Sequence, residues 1–121
     1  MPKSAVVAPA LRESLRQFKA EIFRVLAHPK RIHIVEYLIA GERCVRDIQE
    51  EVGIEAPAVS QHLAVLRAKN LVTTRKEGTQ VFYALRDPLL ADVLDTMRRY
   101  FQAHLKEAMD LLHGLHTESR T

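Results

Sequence analysis

The stretch EAPAVSQHLAVLRAKNLV, residues 55–72, decides the fold prediction. Val59, Leu63 and Leu66 recur at intervals of three or four, so they predict one helix with a single buried stripe. The opposite side of that helix lacks the usual cover of lysine and glutamate. It carries small or amide side chains instead: Pro57, Ser60, Gln61, Ala64 and Ala68. Such a face indicates a surface that another molecule approaches closely.

A second, shorter helix is predicted directly before it, over CVRDIQEEV, residues 44–52. Its apolar residues share one stripe: Val45, Ile48 and Val52. Gly53 ends this helix, and Pro57 suits the first turn of the next. Residues 44–69 therefore match a helix-turn-helix, although a generic pair of antiparallel helices shares the pattern.

The following segment, LVTTRKEGTQVFYAL, residues 71–85, separates these two possibilities. Two β-prone runs flank a turn that we predict at Glu77 and Gly78, with Arg75 and Lys76 at the tip of the hairpin. A helix-turn-helix followed at once by a basic hairpin is a winged helix-turn-helix. The predicted fold class is thus mainly α with a small β-hairpin wing.

Two longer amphipathic helices, residues 9–27 and 87–115, flank the predicted winged-helix core, residues 28–86. Their apolar stripes are Leu11, Leu15, Phe18, Ile22 and Leu26 in the first, and Leu90, Leu94, Met97, Phe101, Leu105, Ala108, Leu112 and Leu115 in the second. These stripes exceed what a small core needs. We expect a second copy of the chain to cover them, so the helices would form a homodimer; the alternative is a flap folded back on the same chain.

Composition predicts a single domain, residues 1–121, because 121 residues with 47% hydrophobic content suffice for one core and not for two. No stretch has the roughly 18 consecutive apolar residues of a membrane-spanning helix, and the first residues lack a signal-type apolar segment. We therefore expect a cytoplasmic protein without membrane contact. A single cysteine, Cys44, excludes an internal disulfide and fits a reducing compartment.

The charge distribution favours a polyanionic partner. Residues 1–41 carry seven Lys/Arg against three acids, and residues 57–86 carry five against one. The other two segments are acidic: residues 42–56 carry two Lys/Arg against five acids, and residues 87–121 carry four Lys/Arg against six acids. A charge run alone is usually a solvated face, so this asymmetry supports DNA binding only together with the fold.

A helix in the DNA major groove must present short or hydrogen-bonding side chains to the base edges. Gln61 can pair with adenine, and Ser60 can serve a base or a phosphate. Arg67 on the flank, with Arg75 and Lys76 of the wing, would meet phosphates. The predicted DNA-binding residues are Pro57, Ala58, Ser60, Gln61, Arg67, Arg75, Lys76 and Thr79.

Three motifs in register carry a resemblance: EIFRVLAHPKRIHIVEYL, AVSQHLAVLRAKNLV and KEGTQVFYAL. From about Phe18 to Leu94 the chain resembles the ArsR/SmtB family of bacterial winged-helix repressors. The resemblance implies a homodimer built from the first and last helices, which binds an imperfect inverted repeat and represses a promoter until an effector releases it. Many members have polar residues where this chain has Ala56 and Pro57.

The family's familiar metal sites are broken in this chain. Metalloid sensors of the family carry Cys-x-Cys, but here Arg46 stands two positions after Cys44. Zinc and nickel sensors carry Asp-x-His, but Asp87 is followed by Leu89. The later ligand positions hold Tyr100 and Ala103. No cofactor is predicted, and the effector is left unidentified.

Two other sensing chemistries stay open. Cys44 is a candidate redox thiol if Arg43 or Arg46 favours its thiolate. His104, His113 and His116 are weak candidates for a transition-metal site, because the last two lie three residues apart on a helix.

Two other function classes compete with DNA binding. An enzyme is disfavoured because the chain has no Gly-rich phosphate loop and no paired metal-ligand motif. We also expect no catalytic role for His62, which should be a partly buried histidine hydrogen-bonded to a neighbouring carbonyl. A winged helix used only for protein contacts is the stronger rival. The presence of the basic residues Arg67, Arg75 and Lys76 argues against it.

Overall fold

A computed structural model describes the backbone of residues 8–119 and the side chains of residues 8–114. The elements in chain order are α1 (Pro9–Leu26), α2 (Pro29–Leu38), β1 (Arg43–Cys44), α3 (Val45–Val52), α4 (Ala56–Ala68), β2 (Val72–Glu77), β3 (Gln80–Leu85) and α5 (Leu89–Ser119). The chain divides into two compact units, the first ending at Arg86 and the second beginning at Asp87. The single-domain prediction for residues 1–121 stays a prediction.

Proline and glycine set most of the helix ends; the sequence predicts this from Pro9, Pro29 and Pro57 at helix starts and from Gly53 at a helix end. A proline stands in the first turn of each of α1, α2 and α4, where its missing N–H leaves no helical hydrogen bond unmade. Gly53 ends α3 in the left-handed conformation, with φ of 70°. The last helix begins later than the predicted Asp87, because the Asp87 carboxylate accepts a hydrogen bond from the Leu89 N–H at 2.9 Å, and it runs past residue 115 to Ser119.

The core of the first unit lies between α2, α3, α4 and the start of β2. Its most buried residues, at most 4% exposed, are Ile34, Val35, Leu38, Ile48, Val52, Val59, Leu63, Leu66 and Val72. The predicted stripe of α4 is therefore confirmed. For α2 the sequence predicts a helix from Pro29 that turns Ile32, Val35 and Leu38 inward. Val35 and Leu38 are buried as predicted, but Ile32 is half-buried and Ile34 is fully buried in its place.

The wing belongs to a three-stranded antiparallel sheet in the order β1-β3-β2. Glu77 pairs with Gln80, so the turn is Gly78-Thr79 and not the predicted Glu77-Gly78. Gly78 has φ of 62°, a conformation that glycine adopts without steric cost. Because the turn lies one residue later, Arg75 and Lys76 lie along β2, opposite Phe82 and Val81, and not at the tip.

The strand β1 was not predicted. It has two residues, with Arg43 opposite Tyr83 and Cys44 opposite Phe82, and two residues are too few to show the alternation by which a strand is recognised. Cys44 is also the residue that precedes the first turn of α3. This strand ties the helix-turn-helix to the wing.

Candidate DNA-binding surface

The outer face of α4 is exposed and uncharged, as the sequence predicts. Pro57, Ser60, Gln61, Ala64 and Ala68 are all exposed, while Val59, Leu63 and Leu66 hold the helix against the core. Of the predicted contact residues on this helix, Ala58 alone is half-buried. The helix therefore offers one amide and one hydroxyl group among small side chains, which is the chemistry that major-groove readout requires.

A cleft of about 430 Å³ lies beside this face, between α4, the start of α3 and the wing sheet. Its lining residues are Val45, Ser60, Leu63, Ala64, Arg67, Ala68 and Tyr83. The structure thus brings Arg67 and Ser60 of α4 next to Tyr83 of β3. The sequence prediction missed Tyr83, because its place depends on the pairing of β3 with β1.

On the wing, the guanidinium of Arg75 is hydrogen-bonded to two carboxylates. Its Nε and Nη2 donate to the two carboxylate oxygens of Glu42 at 3.0 and 2.8 Å, and its Nη1 donates to Glu77 at 2.9 Å. These hydrogen bonds lower the pKa of Glu42 and raise that of Arg75. The predicted phosphate contact of Arg75 stays a prediction. Lys76 and Thr79 are exposed, and Lys76 has no ion-pair partner in the described part of the chain.

His62 fixes the buried side of α4 to α2. Its Nδ1 accepts a hydrogen bond from Arg31 Nε at 3.2 Å, and its ring packs edge-on against His28 with centroids 4.4 Å apart. Arg31 also donates to the carbonyl of Val25 at 3.1 Å. The prediction that His62 is hydrogen-bonded to a neighbouring carbonyl is wrong, because its partner is the guanidinium of Arg31. Burial, then the charges of His28 and Arg31, lower the pKa of His62.

The lone cysteine lies between α3 and the wing. Cys44 is half-buried and lines a second cleft of about 310 Å³ there. The guanidinium of its neighbour Arg43 stacks on Tyr37 at 4.4 Å. The redox role of Cys44 stays a prediction.

The histidines of α5 are the remaining candidates. The His104 ring contacts that of Tyr100 at 4.2 Å, and the side chain of His116 lies outside the described residues. Within the described residues, no three His, Cys, Asp or Glu side chains form a group that could hold a metal ion. The histidine site stays a prediction. None of the described helices is long and apolar enough to cross a membrane.

Comparison with known proteins identifies the family. The sequence profile described as "Bacterial regulatory protein, arsR family" matches residues 28–74. The chain is 36% identical over 104 residues to the HTH-type transcriptional regulator Rv0081 of Mycobacterium tuberculosis, a match covering 85% of this chain and 91% of the relative. The chain belongs to the ArsR family of bacterial regulatory proteins.

Solved structures of relatives share the fold of this ArsR-family chain. The crystal structure of Rv0081 matches with a TM-score of 0.73 and 34% identity, covering 85% of this chain and 99% of that one. A solution structure from Mycobacterium bovis, described as a homodimeric winged helix-turn-helix DNA-binding domain, has a TM-score of 0.73 and 26% identity, covering 85% and 94%. The biofilm growth-associated repressor of Xylella fastidiosa is 35% identical over 89 residues, covering 74% and 78%.

These matches confirm the winged helix-turn-helix fold and the function class predicted from the sequence. The ArsR-family chain is a DNA-binding transcriptional regulator and not an enzyme. The rival interpretation, a winged helix that serves only protein contacts, gains no support from them.

Proposed function

We propose that this ArsR-family regulator represses transcription by binding an inverted-repeat operator as a homodimer. The observation that carries the proposal is the exposed, uncharged face of α4 beside the wing, because it combines short side chains with the Gln61 amide. A bacterial regulator of this kind would act in the cytoplasm, where the chromosome lies.

The terminal helices supply the argument for the homodimer. In α1, Leu11, Leu15 and Phe18 are 54%, 45% and 61% exposed. In α5, the large exposed apolar residues are Leu89, Val93, Tyr100, Phe101, Leu105, Met109, Leu111 and Leu112. Apolar surface on this scale marks an interface, and the Mycobacterium bovis relative is described as homodimeric. In such a dimer the two α4 helices would lie about 34 Å apart, one turn of DNA.

The DNA contacts divide by chemistry. Gln61 would read a base, and Ser60 a base or a phosphate, while Pro57 and Ala58 let the start of α4 approach the groove. Arg67, Lys76 and Thr79 would contact the phosphate backbone, which fixes the register of the protein without reading sequence. Arg75 could join them only after leaving its carboxylate partners.

The effector is a separate question. Arg46, Leu89, Tyr100 and Ala103 stand where the family's metal sensors carry ligands, so we infer that arsenite, zinc and nickel do not act through those sites. Oxidation of Cys44 or a metal bound by His104, His113 and His116 remain the chemical alternatives. Titrating the DNA complex with metals in the presence of reductant, alongside Cys44→Ser and the triple histidine-to-alanine variant, tests both.

The test of the proposed function is binding to the DNA upstream of the chain's own gene. Fluorescence anisotropy should show a complex with two chains per duplex, at least about 1,000-fold tighter than with a scrambled duplex at the same salt concentration. Equal affinity for both duplexes would contradict the proposal, and so would one chain per duplex.

A further inference from the structure

One arginine joins the wing to the loop that precedes β1. Arg75 Nε and Nη2 donate to Glu42 at 3.0 and 2.8 Å, and Nη1 donates to Glu77 at 2.9 Å. The guanidinium carbon also lies 4.7 Å from the centre of the Phe82 ring. The two carboxylates therefore accept a hydrogen bond from each of the three guanidinium nitrogens, and the Phe82 ring covers one face of the group.

Glu42 occupies one of the two edges through which Arg75 could bind a DNA phosphate with paired N–H donors, and Glu77 accepts from Nη1, which belongs to the other edge. A guanidinium recognises phosphate best through two parallel N–H donors, in the same fork geometry that it offers to a carboxylate. Glu42 and a pair of phosphate oxygens therefore compete for Nε and Nη2 of Arg75. Glu42 belongs to the same chain and already lies in place, so a phosphate that binds through this edge must displace it.

The other basic side chains of this surface are not restrained in this way. Arg67 and Lys76 are exposed and have no carboxylate partner within the described residues. The carboxyl group of Glu42 has a lowered pKa because of the hydrogen bonds from Arg75, so it is charged at neutral pH. Both partners remain partly exposed, at 36% of the Glu42 side chain and 49% of the Arg75 side chain, so substitution of Glu42 need not disturb the core.

We propose that Glu42 limits the affinity of this regulator for DNA by holding the Arg75 guanidinium away from the phosphates. This inference rests on the proposed DNA-binding function. In the native protein the cationic contacts to the DNA backbone then fall to Arg67 and Lys76. Substitution of Glu42 adds Arg75 to them, on every sequence alike, since phosphates carry no sequence information.

The test is a cycle of four proteins: wild type, Glu42→Gln, Arg75→Gln and the double variant. Anisotropy with the upstream duplex and a scrambled duplex, at 50 to 200 mM salt, gives the slope of log affinity against log salt. Each phosphate contact adds about 0.9 to this slope, so the two released arginines of a dimer should steepen it by about 1.8. The affinity advantage of Glu42→Gln should accordingly fall about tenfold across this salt range.

The decisive comparison is the effect of Arg75→Gln in the two backgrounds. We expect it to flatten the slope in the Glu42→Gln background and to change it little in the wild-type background. An equal flattening in both backgrounds would mean that Arg75 already contacts phosphate, and no flattening in either would mean that it never does. Either result overturns the proposal.

A control is needed because Glu42→Gln also removes a negative charge. Glu50→Gln removes the same charge from an exposed residue of α3 that pairs with no cation in the described chain. It should leave the slope unchanged, and a slope as steep as that of Glu42→Gln would overturn the proposal.

A readout without DNA separates this proposal from the proposed function. In ¹⁵N-arginine-labelled protein, the Arg75 Nε–H signal should be protected from solvent exchange in wild type and Glu50→Gln, and should disappear in Glu42→Gln. An unprotected signal in wild type would overturn the restraint even if the protein binds DNA. Protection without binding to either duplex would instead overturn the proposed function.

Discussion

Gln61 and His62 are neighbours in the sequence, yet they lie on different faces of α4. Gln61 is exposed on the face proposed for DNA, whereas His62 is half-buried and accepts a hydrogen bond from Arg31 of α2. Helical geometry predicted this division, because consecutive residues point in different directions. The partner of His62 could not be predicted, since Arg31 lies 31 residues away and reaches it only through packing of α2 on α4.

The burial of His62 predicts a pH dependence of stability. Burial lowers the pKa of His62 below 6.5 in the folded chain. Between this lowered pKa and the value of about 6.5 in the unfolded chain, the unfolded chain binds more protons than the folded chain. The free energy of unfolding should therefore fall as the pH drops through about 6.5. Urea unfolding at pH 8 and pH 5.5 should show a larger decrease for wild type than for His62→Gln, which cannot titrate. An identical decrease in both proteins would contradict this origin.

Lys76 is the wing cation that forms no ion pair within the described residues, and its removal should act on all DNA sequences alike. Because a phosphate contact carries no sequence information, Lys76→Ala should weaken binding to operator and scrambled duplex by the same factor. It should also flatten the salt slope by about 0.9 for each phosphate that Lys76 neutralises in the wild-type complex. Anisotropy at several salt concentrations measures both effects. A change in base preference would assign Lys76 to readout instead.

At the scale of elements, the sequence predicted the helices better than the sheet. Proline and glycine mark helix ends by local stereochemistry, so α1, α2, α3 and α4 begin or end close to the predicted residues. The turn of the wing was misplaced by one residue, and β1 was missed, because strand register and a two-residue strand depend on pairing with β3. The cleft lined by Tyr83 follows from that pairing and was missed for the same reason.

The packing of α4 predicts a large effect for a single core substitution. Leu66 is 0% exposed, so Leu66→Ala removes buried methyl groups and leaves a cavity. We expect the free energy of unfolding to fall by about 2 to 5 kcal/mol. Val65→Ala, at a half-buried neighbour, should cost clearly less. Denaturant unfolding gives both values, and equal decreases would show that the α4 stripe does not hold the helix to the core.

At the scale of the whole molecule, the sequence predicted the fold class and the function class but not the electrostatic pairing. The apolar stripes of α1 and α5 were visible as helical periodicity, and their exposure in the single chain is what a dimer would bury. The paired hydrogen bonds between Arg75 and Glu42 join residues that lie 33 positions apart in the sequence. A sequence pattern shows that both charges exist, and only the folded chain shows that they meet.

The homodimer is tested by light scattering at micromolar concentration, which should give twice the 13.8 kDa mass of the chain. Phe101→Asp would place an unpaired charge in the proposed interface and cost about 3 kcal/mol, roughly a hundredfold in the dissociation constant. Gln102→Asp introduces the same charge beside the stripe and should leave the dimer intact. A monomeric wild type, or equal effects of both variants, would contradict the proposed interface.

The central claim is that the uncharged face of α4 reads base edges, and Gln61 tests it most directly. Wild type and Gln61→Ala should be compared by anisotropy on the upstream duplex and on a set of duplexes with every single-base substitution in one half-site. We expect Gln61→Ala to erase the preference at one position, worth about 1 to 3 kcal/mol, and to keep the preferences elsewhere. An unchanged preference at every position would contradict the claim that this face reads DNA through Gln61.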